Sequence, residues 1–278
     1  LELIEKLLAA VLAMWALLPD LWFRWKSSTV FRRGKAGDRV ALTFDDGPDP
    51  VYTPRILDIL AEGGASATFF LVAENARRYP DVVRQIVARG HEVGSHGMHH
   101  APFWLLTPRR SRLEIQESVA MLQELTRTPV RCFRPPWGMF NLIAHYWMRR
   151  TDQRPVLWSL DSLDWFFLTP ARLIYRKVSR RVRPGSVVLF HDGRGVGRTA
   201  AALVEALPQL LDNLKARGLV PVTVSELMDE GERMGRKYEC GERSHESIGD
   251  CQAPGGVHCG DDQHGFMGRP AFPAADLT

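Results

Sequence analysis

Arg39-Val40-Ala41-Leu42-Thr43-Phe44-Asp45-Asp46-Gly47-Pro48 is an apolar run that stops at two carboxylates and a chain breaker. The run reads as a buried strand, and Gly-Pro ends it. Adjacent strand residues point to opposite faces, so two neighbouring aspartates reach one pocket only where the strand ends. Asp45 and Asp46 therefore belong at the carboxyl edge of a sheet, where chemistry gathers in parallel α/β folds. On both sides of this run, strand-like stretches recur at 67–72, 92–95, 130–133, 156–160, 186–190 and 220–224. Helical patterns fill the gaps at 54–61, 81–89, 108–126, 142–150, 171–181 and 199–217. This alternation predicts a parallel sheet or barrel, and periodicity alone does not separate a barrel from an open doubly wound sheet.

Fifty residues further on, His96-Gly97-Met98-His99-His100 follows another predicted strand and carries two imidazoles four positions apart. One helical turn or tight loop brings such a pair to a single ion. Asp plus two His is a facial metal triad, which leaves coordination positions open for water and substrate. Taken singly, Asp-Asp-Gly-Pro is an ordinary polar turn and a His-rich stretch is an ordinary surface loop. Together, each behind a predicted strand, they point to a shared divalent metal. The donor set suits zinc, and cobalt, nickel or manganese could occupy it.

Further ordered runs complete a pattern: Arg134-Pro135-Pro136-Trp137-Gly138, Asp161-Ser162-Leu163-Asp164-Trp165 and Val188-Leu189-Phe190-His191-Asp192. With the two motifs above, the chain resembles the polysaccharide deacetylases (the NodB-homology domain, carbohydrate esterase family 4) over roughly residues 38–230. The resemblance implies a distorted (β/α)7-type barrel within the α/β class, and a hydrolase that removes N-acetyl groups from an N-acetylglucosamine polysaccharide such as peptidoglycan or chitin. It implies Asp46, His96 and His100 as metal ligands, Asp45 as the general base and His191 as the acid that protonates the departing amine. It also implies Arg134 as partner of the base, Asp164 as the carboxylate that orients His191, the backbone N–H of Trp137 as an oxyanion donor, and Trp165 and Leu189 as walls around the acetyl methyl. Two positions depart from the family pattern: Gly97 stands where Ser or Thr is usual, and Trp137 where Tyr is common. His99 is not expected to be a ligand, and His91 reads as structural or surface. Hydrolysis of another amide, an imide or an O-acetyl ester on the same fold, or glycan binding without catalysis, are the rival readings.

The remainder bounds the chain. At 278 residues with 45% hydrophobic content, one full core fits, with appendages. A net charge of +4 suits an anionic wall matrix or a merely solvated basic face, and no basic-aromatic interleaving suggests nucleic acid. Residues 1–37 form an apolar N-terminal segment and linker. Leu7 to Phe23 is apolar except for Asp20 and is short for a membrane span, so it reads as an anchor or interfacial helix, or a helix packed on the domain. The basic residues that follow it weigh against simple export. Residues 231–278 read as a disordered tail: Cys240, Cys251 and Cys259 match no standard metal spacing. Cys132 reads as a small core residue. A cell-envelope site, membrane-associated or extracellular, follows from these readings, with a cytoplasmic one still open.

Overall fold

A computed structural model describes residues 5–6, 14–15, 18–25, 27–35, 37–193 and 199–229. The expected tail over 231–278, with its three cysteines, and most of the apolar stretch over 7–23 lie outside these residues. Among the described residues, no helix is long and apolar enough to cross a membrane.

Among the described residues, eight strands alternate with helices. They are β1 (Arg39–Asp45), β2 (Thr68–Leu71), β3 (Glu92–Ser95), β4 (Cys132–Phe133), β5 (Arg154–Pro155), β6 (Leu160–Asp161), β7 (Val187–His191) and β8 (Val220–Val222). The helices are α1 (Leu18–Trp25), α2 (Tyr52–Glu62), α3 (Ala73–Arg78), α4 (Pro80–Ala88), α5 (Pro108–Thr126), α6 (Leu142–Arg150), α7 (Ala171–Arg181) and α8 (Thr199–Ala216). Every strand pairing is parallel, in the order β5-β4-β3-β2-β1-β7-β6, with β8 paired to the start of β1. The result is the expected distorted barrel.

Two expectations need correction. The run over 156–160 is not one strand. Val156 N–H donates to Phe133 O, Leu157 N–H to Phe31 O and Ser159 N–H to Val187 O, so the chain changes partner almost residue by residue. It crosses the seam between β5 and β6, the two ends of the sheet, and the N-terminal segment fills in through a parallel bridge from Phe31 to Val156. The other miss is α3, only six residues long and too short to register as a periodic pattern.

The alternation of strand side chains sorts the core into two. Val40, Leu42 and Phe44 of β1, Phe69 and Leu71 of β2, Phe133, and Val188 and Phe190 of β7 pack outward beneath the helices. Ala41, Phe70, Cys132, Val156 and Val187 fill the barrel interior with Val222, Val224, Leu227 and Met228. Continuing the interior parity, Thr43 and Asp45 follow Ala41, Arg134 follows Cys132, and Leu189 and His191 follow Val187. Chemistry-bearing residues thus occupy the interior register at the carboxyl ends, and Asp45 sits directly opposite His191 across β1 and β7.

Interior space is tight where β2 meets β3. Phe70 faces Gly94 in register, and a Cβ on Gly94 would lie 2.6 Å from the Phe70 ring and 3.1 Å from the Cys132 carbonyl. Gly94→Ala is therefore expected to lower unfolding stability by about 1–3 kcal/mol in urea titrations; an unchanged midpoint would contradict this packing.

Candidate active site

The site is assembled from loops that leave β1, β3, β4, β6 and β7 at one end of the barrel. Asp45 is buried, and its Oδ1 accepts a 2.6 Å hydrogen bond from Arg134 Nη1. The same nitrogen donates to Thr43 Oγ1 at 2.8 Å, and the Thr43 hydroxyl in turn donates a hydrogen bond to Val188 O at 2.7 Å. Arg134 is itself fully buried, with its guanidinium carbon 4.1 Å from the centre of the Phe70 ring. Burial pulls the guanidinium down from its ordinary value, and the charge of Asp45 pushes it back up.

Asp46 turns back from the strand in a left-handed conformation, φ 73°, which brings two consecutive aspartates to one pocket. Its Oδ1 lies 3.3 Å from His96 Nε2 and 3.2 Å from His100 Nε2. The donor atoms of these three residues all lie within 4.8 Å of one another. His96 Nδ1 is 2.7 Å from the Arg134 carbonyl, an acceptor only, so that nitrogen carries the proton and Nε2 offers a lone pair to the cluster. Asp46 Oδ1, although buried, has no properly directed hydrogen bond. Lone pairs converging on an unsatisfied carboxylate oxygen are the arrangement a divalent cation completes, so these residues could hold one.

The loops bearing these three residues are tied to one helix start. The first amides around α3 have no helical acceptor. They donate instead across the site: Val72 N–H to Gly47 O at 3.0 Å, Ala73 N–H to Gly97 O at 3.0 Å and Glu74 N–H to Met98 O at 3.1 Å. Asn75 Nδ2 adds a 3.0 Å bond to Asp46 O. Buried Glu114 on α5 grips the histidine loop from beneath, its Oε2 accepting from Met98 N–H at 2.8 Å and His99 N–H at 3.1 Å. Its Oε1 lies 2.8 Å from His99 Nδ1. His99 is thus engaged with Glu114 rather than with the cluster. Gly97 has φ +87°, and a Cβ there would stand 3.3 Å from Glu114 Oε2, so a side chain is poorly accommodated.

His191 faces the cluster from β7. Its Nδ1 is 2.8 Å from Asp164 Oδ1, and its backbone N–H donates to Asp164 Oδ2 at 2.7 Å. The carboxylate accepts the Nδ1 proton and leaves Nε2 for the pocket. Burial pulls the imidazole down, but Asp164, with Asp46 and Asp45 beyond it, outweighs this and raises His191 from 6.5 to about 10. Trp137 sits over the His100 side of the cluster, its ring centre 4.4 Å from that of His100 and 5.3 Å from that of Trp104.

The cavity among these groups is about 400 Å³ and is lined by Asp45, Asp46, His96, His100 and His191, with Trp137, Trp165 and Leu189. Every residue expected at the site therefore lines it, except Arg134 and Asp164, which lie buried behind Asp45 and His191. Asp46, His100, Trp137 and Leu163 are four of the six described non-glycine residues with positive φ, each storing about 1–3 kcal/mol of strain. Trp158 and Asp161 also line the cavity and had been given no role. Glu114 was likewise missed, though a signal existed: it falls on the buried stripe Ser111, Glu114, Ile115, Ser118 of α5, where an acidic residue needs a partner. His91 is buried beside Phe69, its rings' centres 5.6 Å apart, away from the site.

The chain matches the polysaccharide deacetylase family model over residues 32–156. It is 36% identical over 192 residues to a peptidoglycan-N-acetylglucosamine deacetylase of Bacillus cereus, covering 68% of this chain and 87% of that one. It is 36% identical over 201 residues to a chitooligosaccharide deacetylase of Sinorhizobium fredii, covering 69% and 93%. Among solved structures, the Bc1960 peptidoglycan N-acetylglucosamine deacetylase superposes with a TM-score of 0.70 at 31% identity, covering 75% of this chain and 96% of that one.

Because Glu114 holds the loop between His96 and His100, Glu114→Ala is expected to weaken zinc uptake by roughly 10–100-fold in a chelator competition. Glu114→Gln, which still offers an acceptor to both amides, should stay near the parent value. Equal affinities for all three proteins would remove Glu114 from any part in holding the loop.

Proposed function

The chain belongs to the polysaccharide deacetylase family, and within it we propose a metal-dependent N-deacetylase that releases acetate from N-acetylglucosamine residues of a wall polysaccharide. The carrying observation is that Asp45, held from behind by buried Arg134, stands beside the Asp46–His96–His100 cluster and opposite His191 in one cavity. The catalytic domain is proposed to comprise residues 38–230.

Asp46, His96 and His100 would hold the cation, zinc by preference from two imidazoles and one carboxylate. When bound it supplies Lewis acidity toward the amide carbonyl and a water molecule. Arg134 occupies Oδ1 of Asp45, which leaves Oδ2 to take the proton of the attacking water as general base. The N–H of Trp137 donates to the oxygen that gains charge as the carbonyl becomes tetrahedral. His191, with Nδ1 held by Asp164, carries a proton on Nε2 at neutral pH and delivers it to the departing amine. Leu189 and Trp165 enclose the acetyl methyl, which larger acyl groups would overfill. The partner is an acetylated glycan at the cell envelope. The exposed Leu18, Leu21 and Trp22 of α1 support interfacial contact with a membrane there.

The direct test is acetate release from N-acetylglucosamine oligomers and from peptidoglycan, using protein stripped by chelator and resupplied with zinc or cobalt. Metal should restore release, and Asp45→Asn should lower it by at least about 100-fold while zinc remains bound. Undiminished activity in that variant would sink the base assignment.

The pH dependence carries a second expectation. His191 is active when protonated, so kcat/KM should hold through neutrality and decline as pH rises toward about 10. Asp164→Asn removes the charge that raises it, and the alkaline limb should move down by at least about one pH unit. A limb that stays in place would mean that another group donates the proton.

A further inference from the structure

The mouth of the catalytic cavity is apolar on both sides. Leu105 follows β3, Trp137 follows β4 and Leu142 opens α6, while Phe166, Phe167 and Leu168 leave β6 on the loop that carries Trp165; all six side chains are exposed. Trp137 and Trp165 tie the two groups to the cavity, because both line it and both keep about half of their surface in solvent. The ring centres of Trp165 and Phe166 are 6.1 Å apart and those of Phe166 and Phe167 5.3 Å apart. Among the described residues, the amino ends of the strands expose one large apolar side chain, Val220. Helix α1 adds to the apolar surface beside the mouth. Its buried Asp20 accepts a 3.0 Å hydrogen bond from Phe140 N–H, which anchors it to the loop that follows Trp137. Leu18, Leu21 and Trp22 share the helix face opposite Asp20 and stay exposed.

Charge gathers at the same end. Three segments that run from the mouth, 99–113 into α5, 137–150 through α6 and 165–177 into α7, contain no Asp or Glu except none that is exposed, since none is present at all. Arg109, Arg110 and Arg172 are exposed in the first turns of α5 and α7, where the helix dipole disfavours cations. No carboxylate among the described residues pairs with them. Cations set against the dipole, without a partner in the fold, suit an anionic surface outside it.

Contiguous exposed apolar surface marks an interaction site, and its geometry selects the partner. A glycan stacks on flat rings held side by side. Here neighbouring rings are inclined by 73° and 54°, and Leu105, Leu142 and Leu168 offer no ring. The boundary between lipid headgroups and acyl chains needs no such platform. It takes up aromatic and aliphatic tips to a depth of about 5–10 Å, and anionic headgroups attract the arginines around them.

Resting on the deacetylase reading, we propose that this rim seats on an anionic lipid bilayer with the catalytic mouth turned toward it, and that the sugar deacetylated there is borne on a membrane lipid. Docked in this way, the pocket opens at headgroup level, within reach of the first sugars of a lipid-carried saccharide. A long free glycan strand has no open path across the mouth.

The test compares the zinc-loaded parent with two double variants, Phe167→Ser/Leu168→Ser and Arg109→Gln/Arg110→Gln, whose positions are exposed and outside the catalytic set. Binding is measured by sedimentation with vesicles of equal parts phosphatidylcholine and phosphatidylglycerol. Each variant should bind them roughly tenfold more weakly than the parent. In the same vesicles, kcat/KM for acetate release from a lipid-anchored N-acetylglucosamine disaccharide should exceed that from the soluble N-acetylglucosamine tetramer by at least about tenfold, since docking raises the local concentration of the anchored sugar. Both variants should lose that margin and keep the parent's activity on the soluble tetramer. Absence of vesicle binding by the parent, binding unchanged in either variant, or equal rates on the two substrates would overturn the proposal. So would a variant that loses activity on the soluble tetramer alone, which would make the rim a glycan platform. Should the parent release no acetate from any substrate, the deacetylase reading fails, and sedimentation still decides the docking surface: vesicle binding lost in the variants upholds it, and binding indifferent to them removes it.

Discussion

A charged guanidinium with no exposed surface is the constraint around which this barrel is organised. Arg134 is wholly buried among Phe70, Trp158 and the strand ends, where an unpaired charge would cost several kcal/mol. Asp45 supplies the opposite charge, Thr43 a further acceptor and the ring of Phe70 a face for the cation. Breaking such a pair by deleting one partner typically costs about 3–5 kcal/mol. The pair therefore fixes the carboxylate of Asp45 by the same interaction that keeps the barrel interior tolerable. The contact that holds the proposed base is thus also one that the core requires.

The rest of the site is positioned by groups whose own needs are satisfied there. The free amides at the start of α3 find acceptors in Gly47, Gly97 and Met98, so one helix terminus ties the Asp46 and His96–His100 loops together. Glu114 holds the histidine loop through the amides of Met98 and His99, and the left-handed backbone of Gly97 keeps the space beside its carboxylate open. Asp46, His100 and Trp137 are held in left-handed conformations that isolated residues of these types would rarely adopt. Such strain persists because the hydrogen bonds around it leave no relaxed alternative, and it turns side chains from different loops toward one small volume.

Much of this was legible beforehand. The apolar run Val40–Phe44 and the breaker after Asp46 located the carboxyl edge of the sheet, and helices such as 108–126 and 142–150 followed from their apolar spacing. What failed had local causes. Residues 156–160 have the composition of a strand, but they cross the barrel seam and donate backbone hydrogen bonds to three different segments. The six residues of α3 are stabilised at their N-terminus by carbonyls from other loops, which no local pattern reports. Asp161 and Trp158 have no chemistry that marks them until the strands bring the pocket to their side.

The residue types, their order and their strand parity came from the sequence, because alternation and chain breakers are properties of a few consecutive residues. They determined the fold class, the family and the set of groups available for chemistry. The tertiary structure alone decided which nitrogen of His96 presents a lone pair, which oxygen of Asp45 stays free, and that Glu114 supports the histidine loop. Each of these depends on contacts between residues up to about ninety positions apart, such as Arg134 with Asp45, and only the closure of the parallel sheet brings them together.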